Sequence, residues 1–410
     1  MPGSVSLYQE IVRQIKAATR EQRVRHTTVV RLALLVTGMI AARSCVLRRV
    51  ASELWTLGLT GAECAEHIGR RLRRTLNDPR LLTSTCYQPA VSAMLDWQVL
   101  RQTDGRIMLS LDESSQGPHL HLLRLCLTYR GSAVPLAWAI WPQNQPLDDG
   151  AYWQAIDQVL AAAARMLPLG IPVVVLADRA YDVPALIDRL TALGWSWVIR
   201  VKAHGTLRVR DRLGREQAVC ALMARYVARP GCRWKGRAQV FKTAGWRTMS
   251  LVAVWGAGEK ELLAVLTDQP PAWHVLAWYR RRAWIEPSFR NDKDQGWHWE
   301  ACQVREQAHQ ERLVVAMAWA SLIMLCLGAA EAAQRLERRL ERAATLSPAA
   351  RREHPRESLF TLGLEQSRHW LYQWRPQPVH WTLPKLDAPS WTDEWWQAAC
   401  WRPAAQSVRP

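Results

Sequence analysis

Residues 172–178 read Pro172-Val-Val-Val-Leu-Ala-Asp178, and residues 107–112 read Ile107-Met-Leu-Ser-Leu-Asp112. Each is a short apolar run closed by a carboxylate, the pattern of a strand buried on both faces. Between them, Leu120–Tyr129 and Val134–Trp141 are strand-like and flank the turn Arg130-Gly131-Ser132, so residues 107–141 predict an antiparallel meander. Residues 150–167 are Ala-rich and helical. After Asp178, Val183–Leu193 predicts a helix stopped by Gly194, and Trp195–Val201 a further strand. Strands that alternate with helices make an α/β layer fold.

On the N-terminal side, residues 1–100 read as helices: Ser6–Arg25, Val29–Ala42, Val46–Leu57 and Ala62–Leu76, the last carrying Arg70, Arg71, Arg73 and Arg74. Such a face suits DNA, and it also suits plain solvent. On the C-terminal side, residues 209–273 break into short strand-like pieces at Ala238–Lys242, Thr248–Trp255 and Leu262–Thr267, separated by glycine turns. Helical character returns over 274–345, broken near Gly296. The last segment, 346–410, is rich in Pro and Trp and has no strong periodicity.

Composition narrows the function classes. The chain has 410 residues, 54 Lys+Arg against 36 Asp+Glu, and a formal charge of +18. Only seven of the basic residues are Lys. Arg grips phosphate in a fork and stacks on bases, so the excess points to a polyanionic partner, with an Arg-biased genome as the plain alternative. The nine cysteines are scattered and never spaced CxxC, which fits a reducing cytoplasm and neither a zinc ribbon nor a disulfide framework. Leu313–Ala330 is uncharged and 18 residues long, at the lower edge of spanning length; its small residues suit a core helix, and no membrane partner is expected. No GxxxxGK[ST] run is present, so no nucleotide cofactor is expected either.

Asp112 and Asp178 both follow buried strands, where ligands gather in open α/β sheets. One such Asp also serves as a cap or turn residue. Two on one sheet begin to form an oxygen-donor site for Mg²⁺. A third carboxylate is available in Trp278-Tyr-Arg-Arg-Arg-Ala-Trp-Ile-Glu286-Pro-Ser-Phe-Arg-Asn-Asp-Lys293. On an ideal helix Tyr279, Arg282, Glu286 and Lys293 fall within a stripe about 60° wide. Pro287 complicates this, since it removes a backbone donor. Two-metal phosphodiester cleavage needs carboxylates around a pair of Mg²⁺ ions, with basic groups to hold flanking phosphates in line.

The spacing Tyr279-x2-Arg282-x3-Glu286-x6-Lys293 resembles the signature of the cut-and-paste DDE transposases of bacterial insertion sequences, specifically insertion-sequence family four. Leu-Asp112-Glu-Ser and Leu-Ala-Asp178-Arg-Ala-Tyr resemble that family's first and second Asp motifs, although the second acid often found two or three positions beyond the first Asp is absent. The resemblance covers about 106–330. It implies a ribonuclease-H-like catalytic core (101–208 and 274–345) with a β-strand insertion (209–273) before the last catalytic helix, plus a helical DNA-binding region at 1–100. It implies Asp112, Asp178 and Glu286 as catalytic residues holding two Mg²⁺ per active site, with Mn²⁺ as substitute. Tyr279, Arg282 and Lys293 would contact DNA. The implied partners are double-stranded DNA, as terminal inverted repeats and as target, and a second copy of the chain in a synaptic dimer. The implied location is cytoplasmic, at the nucleoid. Trp255, in the insertion, is one candidate for stacking on a flipped end base.

The alternatives are a catalytically silent DNA-binding protein descended from a transposase, or a stand-alone nuclease on the same core. Glu113 is a weak alternative ligand, because strand alternation turns it to the opposite face from Asp112. His119 and His121 lack a third ligand. Asp182 is most simply a helix N-cap. Gly296-Trp-His-Trp-Glu300 is expected to be structural.

Overall fold

A computed structural model describes residues 3–94, 105–202, 205, 207–211, 213–343, 357–372 and 383. The expectations for the Pro/Trp-rich segment 346–410 fall largely outside the described residues. The described residues form two compact units, each discontinuous in sequence: those within 3–94, 113–169, 285–343 and 357–372, with 383, in one, and those within 105–112 and 170–284 in the other.

The first unit opens with helices α1 (Gly3–Ala18), α2 (His26–Ala42), α3 (Leu47–Thr56), α4 (Ala65–Leu76), α5 (Thr83–Cys86) and α6 (Gln88–Met94). The amphipathic spacing works as expected on α4: Ile68, Leu72 and Leu76 are buried, and all four arginines are exposed. The hairpin β2 (Leu120–Tyr129) and β3 (Ser132–Pro142) pairs antiparallel, from Leu120 opposite Pro142 to Tyr129 opposite Ser132. Helix α7 (Asp149–Met166) follows, its N-cap Asp148 accepting from the Ala151 amide at 2.7 Å.

The second unit is a twisted sheet. Strand β1 (Ile107–Gln116) gives it residues 107–112, which run parallel to β4 (Val173–Ala177); β4 runs parallel to β5 (Ser196–Arg200), with helix α8 (Pro184–Ala192) between them in sequence. The sheet continues antiparallel through β10 (Leu263–Thr267), β9 (Arg247–Val254) and β8 (Arg233–Val240), then β6 (Arg208–Arg210) and β7 (Glu216–Ala218). The residues 209–273 are therefore β-rich, with one short helix, α9 (Val219–Tyr226), that the periodicity did not show. Helix α10 (His274–Arg280) lies on one face of this sheet. Its Val275, Leu276, Trp278 and Tyr279 pack with Met108, Val174, Leu176, Val198, Val252 and Val265.

After α10 the chain stays helical but not as one α-helix. A 3₁₀ turn (Arg281–Trp284), helix α11 (Ile285–Arg290) and a π-helical turn (Asn291–Gln295) follow in sequence. The single-helix wheel expected over 279–293 is thus corrected, since each change of winding shifts the angular register. Pro287 is accommodated because it is the third residue of a restarted helix, where its missing N–H deprives no carbonyl of α11 of a bond.

The first unit closes with α12 (Gln307–Ala343) and α13 (Leu359–Tyr372). Among the described residues one helix by itself is long and apolar enough to cross a membrane, Gln307–Arg335, and 89% of its most apolar window is buried. That burial is what a core helix shows. Gly328 and Gly363 let α12 and α13 touch backbone to backbone: a Cβ on Gly328 would fall on the Leu359 carbonyl, and one on Gly363 on that of Met324.

Candidate active site

The site is built by the parallel pairing of β1 with β4. Leu111 is in register with Ala177, the last pair between the two strands, so Asp112 and Asp178 follow it side by side; β4 ends there, whereas β1, expected to stop at Asp112, runs on to Gln116. Strand alternation fixes the face. Met108 and Val174 point toward α10, and Asp112 and Asp178 lie an even number of residues beyond them. Both carboxylates meet one cation: the Arg282 Nη2 lies 2.7 Å from Asp112 Oδ2 and 3.8 Å from Asp178 Oδ2. The Ser110 hydroxyl donates to the Arg282 carbonyl at 3.2 Å, which ties the 3₁₀ turn to β1.

Asp178 serves a turn and also faces the cation. Its Oδ1 accepts the Ala180 amide at 2.7 Å, a turn-forming bond, while Oδ2 faces Arg282. Tyr279 is buried beside this group. Burial pushes its phenol up to about 12, with Arg282 and Arg200 opposing that rise and the charges of Asp178 and Asp112 adding to it. It therefore keeps its proton, and its capacity to donate, at neutral pH. Arg200, on β5, is a neighbour the sequence reading passed over; its signal was a charged residue ending an apolar strand. It pairs with Glu261 at 2.9 Å.

Among the described residues, no group of three His, Cys, Asp or Glu stands close enough together to hold a metal ion. The Asp112–Asp178 pair still fits a divalent cation in its chemistry, offering hard oxygen donors that already converge on one positive charge. Mg²⁺ is commonly held by one or two carboxylates, with water and substrate phosphate completing its shell.

Glu286 and Lys293 belong to the first unit. Glu286 is exposed on α11, and Lys293 lies on the π-helical turn with its Nζ 3.8 Å from Glu300 Oε1. Also in that unit, Glu113 accepts from the Tyr152 hydroxyl at 2.7 Å. The expectation of structural roles for residues 296–300 fits the tryptophans: Trp297 donates to the Ser321 hydroxyl and Trp299 to Gln310, both at 2.8 Å, and both rings are buried. Asp182 does not cap α8. The N-cap is Val183 with Pro184 behind it, and burial raises the Asp182 carboxyl. Trp255 is held in a turn, its indole donating to the Glu259 carbonyl at 3.0 Å.

The face that carries the acids also carries a row of cations. Ser110 is in register with Leu176, Leu176 with Val198, Val198 with Thr267, Thr267 with Ser250 and Ser250 with Arg237. Arg233, Lys235 and Arg237 therefore share that face on β8, and all three are exposed. Trp273, just before α10, lies under two of them, with Arg233 at 4.9 Å and Lys235 at 5.2 Å from the ring. The segment from Trp273 to Arg282 thus runs from the cation row to the acid pair.

Fold and site together define an α/β protein with paired carboxylates just past the β1–β4 pairing, an Arg counter-ion and a basic face. The family described as the transposase DDE domain matches residues 122–323, just under half of the chain, and supports a DDE transposase. Asp178, Tyr279, Arg282, Glu286 and Lys293 lie inside that range, and Asp112 lies before its start. Among solved structures, the chain is similar to a piggyBac transposase in a synaptic complex with hairpin DNA, at 10% identity and a TM-score of 0.40, covering 100% of this chain and 85% of that one. No curated protein matches the sequence.

Proposed function

We propose that this chain is a cut-and-paste DDE transposase of the insertion-sequence family four type. It would bind the terminal inverted repeats of its element, cleave there with Mg²⁺ and join the freed 3′ ends to target DNA as a dimer in the cytoplasm. The observation that carries the reading is the convergence of Asp112 and Asp178 on Arg282 where the parallel pairing of β1 with β4 ends. The order β1, β2, β3, helix, β4, helix, β5, with an antiparallel hairpin and three parallel strands, supports a ribonuclease-H-like core interrupted by the β-rich insertion.

Asp112 and Asp178, with Glu286 as the third acid, would hold the metal, Mn²⁺ substituting for Mg²⁺. When bound, a pair of such ions activates the attacking oxygen and stabilises the leaving one. The chain's own groups do the rest. Arg282 and Lys293 neutralise and orient phosphate oxygens, Arg by its fork. Tyr279, protonated, donates a hydrogen bond to the backbone. The exposed β8 row would add further phosphate contacts, and the α4 arginines are an exposed basic face of the first unit.

The test is a labelled DNA fragment carrying the element's own terminal repeat, incubated with protein and Mg²⁺. Cleavage at the repeat terminus with joined products is the expected result. Binding without cleavage favours the silent DNA-binding protein, and nicking without joining favours the nuclease.

A further inference from the structure

One buried ion pair in the first unit is left unexplained by the acids and the DNA contacts. Strand β2 reads Leu120-His-Leu-Leu-Arg124-Leu-Cys-Leu, and Arg124 is only 1% exposed. Its Nη1 donates to Asp292 Oδ2 at 2.6 Å and to the Ser288 hydroxyl at 3.2 Å, and its guanidinium carbon lies 5.3 Å from the Phe289 ring centre. Asp292 is 3% exposed. Burial pushes its carboxyl up, against the pull of Arg124, so the pair is held in a place where a charge is costly.

Stability alone does not account for it. A buried pair replaced by apolar side chains of similar volume is often as stable or more so, because two charges no longer lose their water. What this pair does that an apolar contact cannot is fix direction. One guanidinium reaches positions 288 and 292 through the same Nη1 and lies over the Phe289 ring, across the junction where α11 widens into the π-helical turn. Glu286 sits two residues before the first of those positions, and Lys293 directly follows the last. Inside the turn the backbone is closed by the Trp297 amide on the Asn291 carbonyl at 2.7 Å. π-helical turns are rare and cluster at functional sites, and their extra residue shifts every side chain beyond them.

We propose that Arg124 and Asp292 are positioning residues, a buried clamp that sets the winding of 286–293 and so aims Glu286 and Lys293 at the metal and the DNA phosphate. This rests on the transposase reading above. Arg124 and Asp292 touch no reacting atom; they act through Lys293 and Glu286.

The test uses the full chain and separates folding from aim. Asp292→Asn leaves a buried guanidinium without its carboxylate and is expected to lower both the melting temperature and activity. The deciding variant is the double replacement Arg124→Met with Asp292→Leu, and beside it Arg124→Lys, which keeps the charge and loses the fork. Melting near that of the wild type is expected, with terminal-repeat cleavage reduced at least tenfold at saturating DNA and Mg²⁺. Each is then combined with Lys293→Ala. If the clamp acts through Lys293, its effect on affinity for the labelled terminal repeat shrinks to under twofold in that background, whereas a purely structural effect adds in full.

Folded clamp variants that cleave at the wild-type rate overturn the proposal. So does full additivity with Lys293→Ala. Failure of both clamp variants to fold overturns it as well, since the pair then serves the fold itself. A wild type that neither binds nor cuts the repeat fails at the earlier step, the transposase reading, and takes this inference with it.

Discussion

Replacing Arg233, Lys235 and Arg237 together by Gln tests whether the sheet face that holds the acid pair is also the DNA path. Alternate strand residues are spaced by ~6.8 Å, about two base-pair steps of duplex axis. From β1 to β8 there are five strand steps, ~24 Å, or about seven base pairs. Each phosphate contact contributes about 0.9 to the slope of log affinity against log salt. Three lost contacts should make the slope shallower by about 2.7. Referred to 1 M salt, where the term vanishes, this is a weakening of roughly 500-fold at 0.1 M. The three side chains are exposed, so folding should change little. Fluorescence anisotropy with a labelled duplex, titrated between 50 and 400 mM salt, reads the slope directly. Parallel slopes for wild type and variant, with equal melting temperatures, would refute the path.

Asp112→Asn and Asp178→Asn should each cut terminal-repeat cleavage on the order of 10³-fold while leaving repeat affinity within threefold, as gel-shift and cleavage assays would show. Gly328→Ala should lower stability by about 1–3 kcal/mol, read by denaturant titration, because its methyl meets the Leu359 carbonyl where α12 crosses α13. Asp78 accepts from Arg80 and from the Thr28 hydroxyl, and Arg80 first of all lowers its carboxyl to about 2. Its folded value lies below the unfolded one, so the stabilisation is present above pH ~4 and is lost as pH falls through about 2. Allowing for the half-exposed Arg80, about 1 kcal/mol should separate wild type from Asp78→Asn at pH 6, and thermal melts should show the gap closing by pH 2.

Much of the framework was legible because it obeys local rules. The apolar runs ending at Asp112 and Asp178 are strands, the alternation at 184–200 is a helix and a strand, and α4 turns its arginines outward. Of the residues singled out from the sequence, Asp112, Asp178 and Arg282 stand together in the structure. The winding of 279–293 was not, because an ideal wheel assumes one helix and the chain uses three kinds of turn. Arg124 and Asp292 were passed over because a partner 168 residues away leaves no periodic trace. A lone Arg inside an apolar strand was the only cue. The cation row escaped for a similar reason, since only the register across five strands places β8 on the face of the acids.

Whether the Asp112–Asp178 pair serves the cutting and joining of DNA is decided by a one-pot assay with a labelled terminal-repeat fragment, a target plasmid and Mg²⁺, comparing wild type with Asp178→Asn. Cleavage at the repeat terminus and joining of the 3′ end to the plasmid are expected of the wild type, with neither product from the variant. Equal product from Asp178→Asn would contradict a role for this pair.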